Sequence, residues 1–504
     1  MSALDWAVLV AYFALMVGIG VWAHRRVRHS GDYFAAGGRM PWWLAGISHH
    51  MSGYSAAVFV GYAAIAYQYG FTLYIWWAIG ITIALLVGAA LFAPRWPRLR
   101  KRFGIASPLE YLRSRYNLPT QQVLAWSGTL LKVFDVGAKW TAIAILLNVF
   151  TGMPLLTGIL LTGGVTLVYC TVGGLWADAL TELGQFVIQL IAGITMFAIV
   201  LAKLGGVSGL WTMWDRLPAE HAKPFAGPYT LIFVLAYLLI DALSYNGGTW
   251  NLAQRFMATS SGASGRRSAL LSAALYLIWP VILFYPMWAA PLLYPHIADP
   301  TQSYAILSER LLPTGLLGLV VAGLMSHTMA MTSSDANAIS AVVTRDIIPA
   351  VWSRARNLSA GRELAIARTV TVLFMAVSMV LAAEADRFGG VIGLIILWFG
   401  ALVGPISIPM LLGMLPAFRR SGPIAAIVSW LAGLVAFGIV KYGIAGGDAA
   451  VVATPVITSL VLYIGLGLVH SERRPATDAV VDALSEDERR ADEPTHAPGA
   501  VGIG

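Results

Sequence analysis

Long apolar runs, recurring from one end of the chain to the other, are what most limits the folds open to it. A membrane-crossing helix needs about 20 apolar residues at a rise of ~1.5 Å each. Runs near that length fall at 4–23, 42–67, 71–93, 122–149, 153–172, 178–203 and 228–250. They continue at 268–294, 313–343, 364–384, 388–415, 423–441 and 450–470, thirteen in all. Hydrophobic residues make up 58% of the 504 and charged ones only 12%, where a soluble domain carries about a quarter charged. Backbone groups in lipid must bond within their own segment, so such runs become helices. The expected fold class is an all-α polytopic membrane protein with about 13 transmembrane helices, its transmembrane domain spanning 1–470.

The loops between the runs alternate in charge. Those at 24–29, 95–115, 255–267, 345–368 and 419–420 are basic, whereas 214–227 and 291–310 lack basic clusters. Basic loops stay on the cytoplasmic side, which predicts an outside N-terminus and a cytoplasmic C-terminus in the cell inner (cytoplasmic) membrane. The net charge of +8 is thereby explained without nucleic acid. The run at 4–23 lacks a basic stretch before it and is followed by basic residues, which predicts a retained span and not a cleaved signal. One cysteine, Cys170, excludes an intrachain disulfide framework. Residues 471–504 are rich in Asp, Glu, Arg, Ala and Pro without apolar periodicity, as expected of a disordered cytoplasmic tail. Trp211, Trp214 and Pro218 suit a short amphipathic element at the outer surface.

Within the second run stands Ser48-His49-His50-Met51-Ser52-Gly53-Tyr54-Ser55. Two imidazoles and several hydroxyls are costly in hydrocarbon, so they point to a site facing protein or water. Small polar residues around a glycine also predict a broken helix that frees backbone groups for ligands.

Other spans carry polar groups too. Lys132, Asp135 and Lys139 share one helical face of the fourth span, and two of the chain's six lysines are here. They form either a self-neutralising ladder or a site for a solute carboxylate on Lys139 and a cation or proton on Asp135. The seventh span holds Asp241, Ser244, Tyr245 and Asn246 before Gly247-Gly248, a pair that allows close helix approach or a bend. Asp178 and Glu182 lie one turn apart near the start of the sixth, suited to gating, anchoring or binding. In the ninth, 327, 331, 334 and 338 fall on one stripe of the segment Ser326 to Asn337. His327 there is either a hydrogen-bonded core residue or a ligand. No phosphate-cradling loop or metal-ligand cluster is present, which argues against a nucleotide-driven pump.

Taken in order, Gly31-Asp32-Tyr33-Phe34-Ala35-Ala36-Gly37-Gly38-Arg39 with Trp42-Trp43, Tyr169 with Gly173-Gly174-Leu175, Thr181-Glu182 to Gln185, Gln254-Arg255, and Ser334 to Thr344-Arg345-Asp346 resemble the sodium:solute symporter family. The resemblance covers most of 1–470 and implies a LeuT-like 5+5 inverted-repeat core. It further implies a sodium ion held between the second and ninth spans, with backbone carbonyls of Ser48 and Met51 as ligands and His50 at a position commonly Asp or Asn. Counting back ungapped from Asp346 puts a further carbonyl ligand at His327. The same count puts the family's hydroxyl pair at Ala330 and Met331.

Ala330 and Met331 cannot supply the hard oxygen ligands a sodium ion prefers, although Thr328 or Thr332 would compensate in a rotated helix. Two expectations follow. Either the sodium site is lost and an imidazole at His50 or His327 carries a proton instead, or a four-residue shift puts Ser326 and His327 at the hydroxyl pair and sodium stays. The solute position implied by the resemblance takes in Ser52, Ser55, Lys132, Asp135, Lys139, Tyr245, Asn246 and Trp398, with Tyr245 as an aromatic lid.

The expected function is secondary active import of a small organic solute (a carboxylate, amino acid or sugar) coupled to Na+ or H+, with no organic cofactor and no covalent chemistry. The alternatives are a membrane-embedded enzyme using His49, His50 or His327 as general base, and a proton-conducting subunit built on Lys132, Asp135 and Lys139.

Overall fold

A computed structural model describes residues 1–23, 30–472 and 474–485; the basic stretch 24–29 lies outside them. The described residues form helices joined by short turns, with two isolated β-bridges, Met40 to Thr259 and Ala226 to Tyr229, and no sheet. The main helices are α1 (Ala3–Ala23), α2 (Trp42–Met51), α3 (Gly61–Tyr69), α4 (Gly80–Leu91), α5 (Arg95–Phe103), α6 (Leu118–Thr151) and α7 (Leu155–Lys203). They continue as α8 (Leu231–Leu243), α9 (Trp250–Met257), α10 (Gly262–Leu293), α11 (Leu316–Val342), α12 (Ala360–Ala383), α13 (Gly390–Trp398) and α14 (Gly404–Leu412). The last three are α15 (Pro423–Gly438), α16 (Asp448–Val469) and α17 (Pro475–Ser485).

Among the described residues ten helices are long and apolar enough to cross a membrane, or eleven if the bent pair Leu118–Thr151 and Leu155–Thr171 is one span. The thirteen apolar runs exceed this count at two places. The run at 42–67 is cut into α2, a single turn Ala56–Phe59 and α3, each too short to qualify alone. The runs at 122–149 and 153–172 are the bent pair, which turns through 118°.

Local signals account for most helix ends. Asn117 caps α6 by accepting from the Thr120 amide at 2.9 Å, and Ser261 caps α10 by accepting from the Ser264 amide at 3.1 Å. Asp5 accepts from the amides of Gly315 and Gly318 at 2.7 and 2.9 Å, so the first helix ties down the start of α11. Within α7 the path breaks at Gly174, whose φ of 52° lies in the left-handed region. A Cβ there would come within 2.5 Å of the Tyr33 ring and 2.7 Å of its carbonyl oxygen. Glycine alone allows that turn and that approach together.

The helices pack as two sets. α10 lies against α2 and α4, with α8 on α4; α11 lies against α7 and α6, with α12 on both. α1 closes over α7 and α11, while α15 and α16 pair beside α14. Contacts gather the basic loops at one end. Arg100 donates to the carbonyls of Met257 and Thr259, Arg345 pairs with Glu110 and Glu363, and Arg115 donates to Gly413, Phe418 and Ser421. At the opposite end His221 accepts from the Phe71 amide, and Trp214 packs on Phe71 and Trp288. Trp211 stays 69% exposed there on the short helix Gly209–Arg216, in keeping with an amphipathic surface element.

The expectation of a tail without structure from 471 onward fails over α17. Thr477, Val480, Val481 and Leu484 of that helix are buried against α5 and the short helix Leu112–Arg115. Arg98 donates to the Leu484 carbonyl, Thr477 to the Arg115 carbonyl, and Arg419 pairs with Asp478 and Asp482. The charged composition conceals an apolar face one helical turn apart, which is what docks. Residues 486–504 lie outside the described residues.

Candidate functional site

Two helices break at mid-span and face one another. The second span ends its first helix at Met51, passes Ser52 to Ser55 and resumes at Ala56. Ser55, expected at the solute position, spends its hydroxyl accepting from the Ala57 amide and so caps the turn that follows. The seventh span opens into a π-turn at Ser244–Gly248, where Gly247 takes φ 113°. A Cβ on Gly247 would sit 2.8 Å from the Trp96 indole, which itself donates to the Asn246 carbonyl at 3.0 Å. Side chains bridge the two breaks. Tyr245 donates to the Gly53 carbonyl at 2.9 Å, Asn251 to the Ser52 carbonyl at 3.1 Å, and His49 joins the Tyr245 carbonyl at 3.0 Å. Tyr245 therefore stands at the break, as an aromatic lid requires. Asn246 does not: its amide donates to the Ala84 and Ala242 carbonyls and packs against Gly88. The π-turn rotates it toward α4, which removes it from the expected solute group.

Beside the first break lies a buried cluster of oxygens. The Ser48 and Ser52 hydroxyls both donate to the Glu182 carboxylate. Ser334 lies 2.8 Å from the Ser52 hydroxyl, 2.8 Å from Glu182 and 3.0 Å from Asp178, and Ser333 also donates to Asp178. Arg255 engages the cluster through Nη2 alone, reaching Asp178, Glu182, Ser52 and Ser334. All are buried. Two carboxyl groups face one guanidinium.

This corrects the expected register on the ninth span. The hydroxyls that join the oxygen cluster are Ser334, which meets Ser52 at the break, and Ser333, which meets Asp178, not residues 330 and 331, and not 326 and 327 as a four-residue shift would have it. Ala330 contributes only its carbonyl, which accepts from both serines at 3.1 and 2.8 Å. Ser326 donates to Tyr12 and to the Ala322 carbonyl, away from the break. Thr328 accepts from the Ala56 amide at 3.1 Å, and Thr332 bonds back to its own helix.

The histidines divide. His49 has both ring nitrogens engaged, with Ser272 at 2.8 Å and with Tyr245, which leaves it no role as general base. His50 and His327 meet across one ring, Tyr54, at centroid distances of 5.2 and 4.5 Å. His50 shares a hydrogen bond with the Tyr54 hydroxyl at 3.2 Å, and the Nδ1 atoms of His50 and His327 have no partner. They occupy an aromatic cluster, not the oxygen cluster.

A second ionic group joins α6 to α11. Lys132 reaches Asp135 at 2.5 Å and Asp335 at 3.0 Å, while Lys139 reaches Asp135 at 2.7 Å and Asp335 at 2.5 Å. Trp398 covers Lys132, its ring 4.2 Å from the ammonium. Two ammonium groups and two carboxylates cancel, so the ladder is closed by Asp335, which the fourth span alone did not reveal. Lys139 and Asp135 are spent on this square and offer no free charge to a solute.

The chain can now be set beside known proteins. The family model described as the sodium:solute symporter family matches residues 33–433. A sodium/sialic acid symporter of Aliivibrio fischeri, NanT, is 25% identical over 481 residues, covering 88% of this chain and 91% of that one. The sodium/iodide cotransporter of Homo sapiens is 27% identical over 456 residues, 86% of this chain and 69% of its own. Among solved structures, a Na+-coupled sialic acid symporter in a substrate-bound outward-open state superimposes with a TM-score of 0.82 at 20% identity, covering 94% and 99% of the two chains. Mhp1, a nucleobase-cation-symport-1 family transporter, gives 0.56 at 13% identity over 91% and 99%. The fold is thus that of the LeuT-like transporters, and the chain belongs to the sodium:solute symporter family of multi-pass membrane proteins, which carry out secondary active solute import.

Proposed function

We propose that the imported solute is driven by sodium, and that the ion completes the oxygen cluster at Ser48, Ser52, Glu182 and Ser334 with the carbonyls of Ser48 and Met51 close by. The observation that carries this reading is that two buried carboxyl groups, Asp178 and Glu182, share one basic partner, Arg255. Hydroxyl and carboxylate oxygens are the hard ligands an alkali cation prefers, and a buried unpaired charge is strongly unfavourable without one. Binding at a junction of α2, α7 and α11 gives the ion differential contacts in the closed and open states, which is what coupling requires. By the positive-inside rule the basic end faces the cytoplasm and the protein sits in the cytoplasmic membrane, N-terminus outside.

A proton at His50 or His327 is the second reading, favoured by their unpartnered Nδ1 atoms. Counterflow and uptake in proteoliposomes separate the two. A sodium gradient at fixed pH drives accumulation under the first reading; under the second a pH gradient alone does so, and His50→Gln or His327→Gln shifts the pH profile. Uptake driven by neither gradient removes both.

A further inference from the structure

One buried carboxyl group of α8, Asp241, belongs to neither network. It is 2% exposed, pairs with no basic side chain, and its Oδ2 has no hydrogen-bond partner. It lies so close to α4 that a Cβ on Gly80 would sit 2.7 Å from Oδ2. Tyr237 stands one turn before it on the same helical face, and Tyr245, in the π-turn that follows, is the residue whose hydroxyl reaches the break at Gly53. Tyr62 and Tyr237 both lie within electrostatic range of the carboxylate.

Their rings form a wall with Trp76, which meets Tyr62 at 5.4 Å and Tyr237 at 4.7 Å, both edge to face. Tyr62 and Tyr237 are only partly buried. Two more polar atoms here are unpartnered, the Trp76 indole nitrogen and the Ser244 hydroxyl.

A buried carboxylate without a counter-charge is rare within a span and marks a place where a ligand supplies one. The faces of tyrosine and tryptophan attract organic cations, and a carboxylate among them fixes the sign. A metal ion has little use for such a wall, since it needs several oxygens and finds one carboxylate. We infer that Asp241, with Tyr62, Trp76 and Tyr237, binds an organic ammonium group of the transported solute. The inference rests on the proposed solute import and adds the class of solute: a quaternary or primary ammonium compound, including zwitterions. The Trp76 indole and the Ser244 hydroxyl are left to receive that solute's own hydroxyl or carboxylate.

The test uses the purified full-length protein and probes matched in shape. Choline is compared with its neutral carbon isostere 3,3-dimethyl-1-butanol, and glycine betaine with 3,3-dimethylbutanoate, by titration calorimetry in sodium. At least one ammonium probe should bind about tenfold or more tightly than its isostere. Asp241→Asn should erase that preference, yet melt no lower than the parent without solute, since it keeps the size of a side chain whose Oδ2 has no partner to lose. Equal affinity within both pairs, binding of neither ammonium compound, or preference retained in Asp241→Asn overturns the inference. Stabilisation by sodium over potassium, read in the same preparation, reports separately on the reading beneath it. That reading stands if sodium acts while the ammonium preference is absent.

Discussion

The Ser334 hydroxyl sits 2.8 Å from the Ser52 hydroxyl and 3.0 Å from the Asp178 carboxylate, so one side chain of α11 joins the break in the second span to the acids of α7. Around that junction two carboxyl groups share one guanidinium, whereas around Lys132 and Lys139 two ammonium groups meet two carboxylates. In a site shielded from water this difference sets the proposed ion site apart from a group that holds helices together.

Glu182→Gln tests the first of these roles. The amide keeps the size of the side chain, but Asp178 alone then faces Arg255 and the proposed sodium ion loses its charged ligand. Losing a charge-assisted contact is worth roughly 1.5–3 kcal/mol, or about 10- to 150-fold in affinity. The sodium concentration giving half-maximal thermal stabilisation should rise by that factor in Glu182→Gln. A value unchanged from the parent would rule the cluster out as the sodium site.

The square of Lys132, Asp135, Lys139 and Asp335 makes the opposite prediction. Asp335→Asn leaves two ammonium groups facing one carboxylate in the interior and should destabilise the protein by roughly 3–5 kcal/mol. Removing Lys132 as well, in Asp335→Asn with Lys132→Gln, leaves Lys139 and Asp135 as a neutral pair at 2.7 Å. Thermal unfolding in detergent should show the double variant recovering most of the loss. A double variant less stable than the single one would mean that packing, not charge balance, holds α6 to α11.

How much of this was legible beforehand depended on what kind of signal each residue carried. Ser48 to Ser55 stood out because polar groups in an apolar run are costly, and the break is there. Lys132, Asp135 and Lys139 were legible as a face, read as a self-neutralising ladder or a solute site. Asp335 stands 196 residues from Lys139 in sequence, and no periodicity links them. The register of the ninth span was lost because an ungapped count back from Asp346 carries no physical check on which hydroxyls face the second span. A π-turn takes in an extra residue and shifts helical phase, and the one at Ser244–Gly248 turns Asn246 away from the expected solute group. Charge composition hid α17, whose buried face is only Thr477, Val480, Val481 and Leu484.

Docking of α17 has a consequence at the basic end. It covers α5, and α5 in turn holds the seventh span through Trp96 on the Asn246 carbonyl and Arg100 on the Met257 carbonyl. Val481 is fully buried, so Val481→Asp puts a charge into an apolar contact and should release the helix. Hydrogen exchange should then quicken across residues 95–115 and stay unchanged in α1, at the far side of the packing. Uniform exchange in parent and variant would show that α17 adds nothing to the stability of that end.

Gly247 allows a sharper test of the broken seventh span. Its φ of 113° is closed to side-chain-bearing residues, and a Cβ would also strike the Trp96 ring at 2.8 Å. Gly247→Ala thus carries two penalties, backbone strain of roughly 1–3 kcal/mol and a clash with an indole. The clash can be relieved separately, because Trp96→Phe shortens the ring that stands in the way. Gly247→Ala alone should lower the melting temperature and abolish gradient-driven uptake, since the turn that presents Tyr245 to Gly53 can no longer form. Adding Trp96→Phe should restore part of the stability but not the uptake. Full recovery of both would mean that crowding, and not the backbone conformation of the break, is what glycine provides at this position.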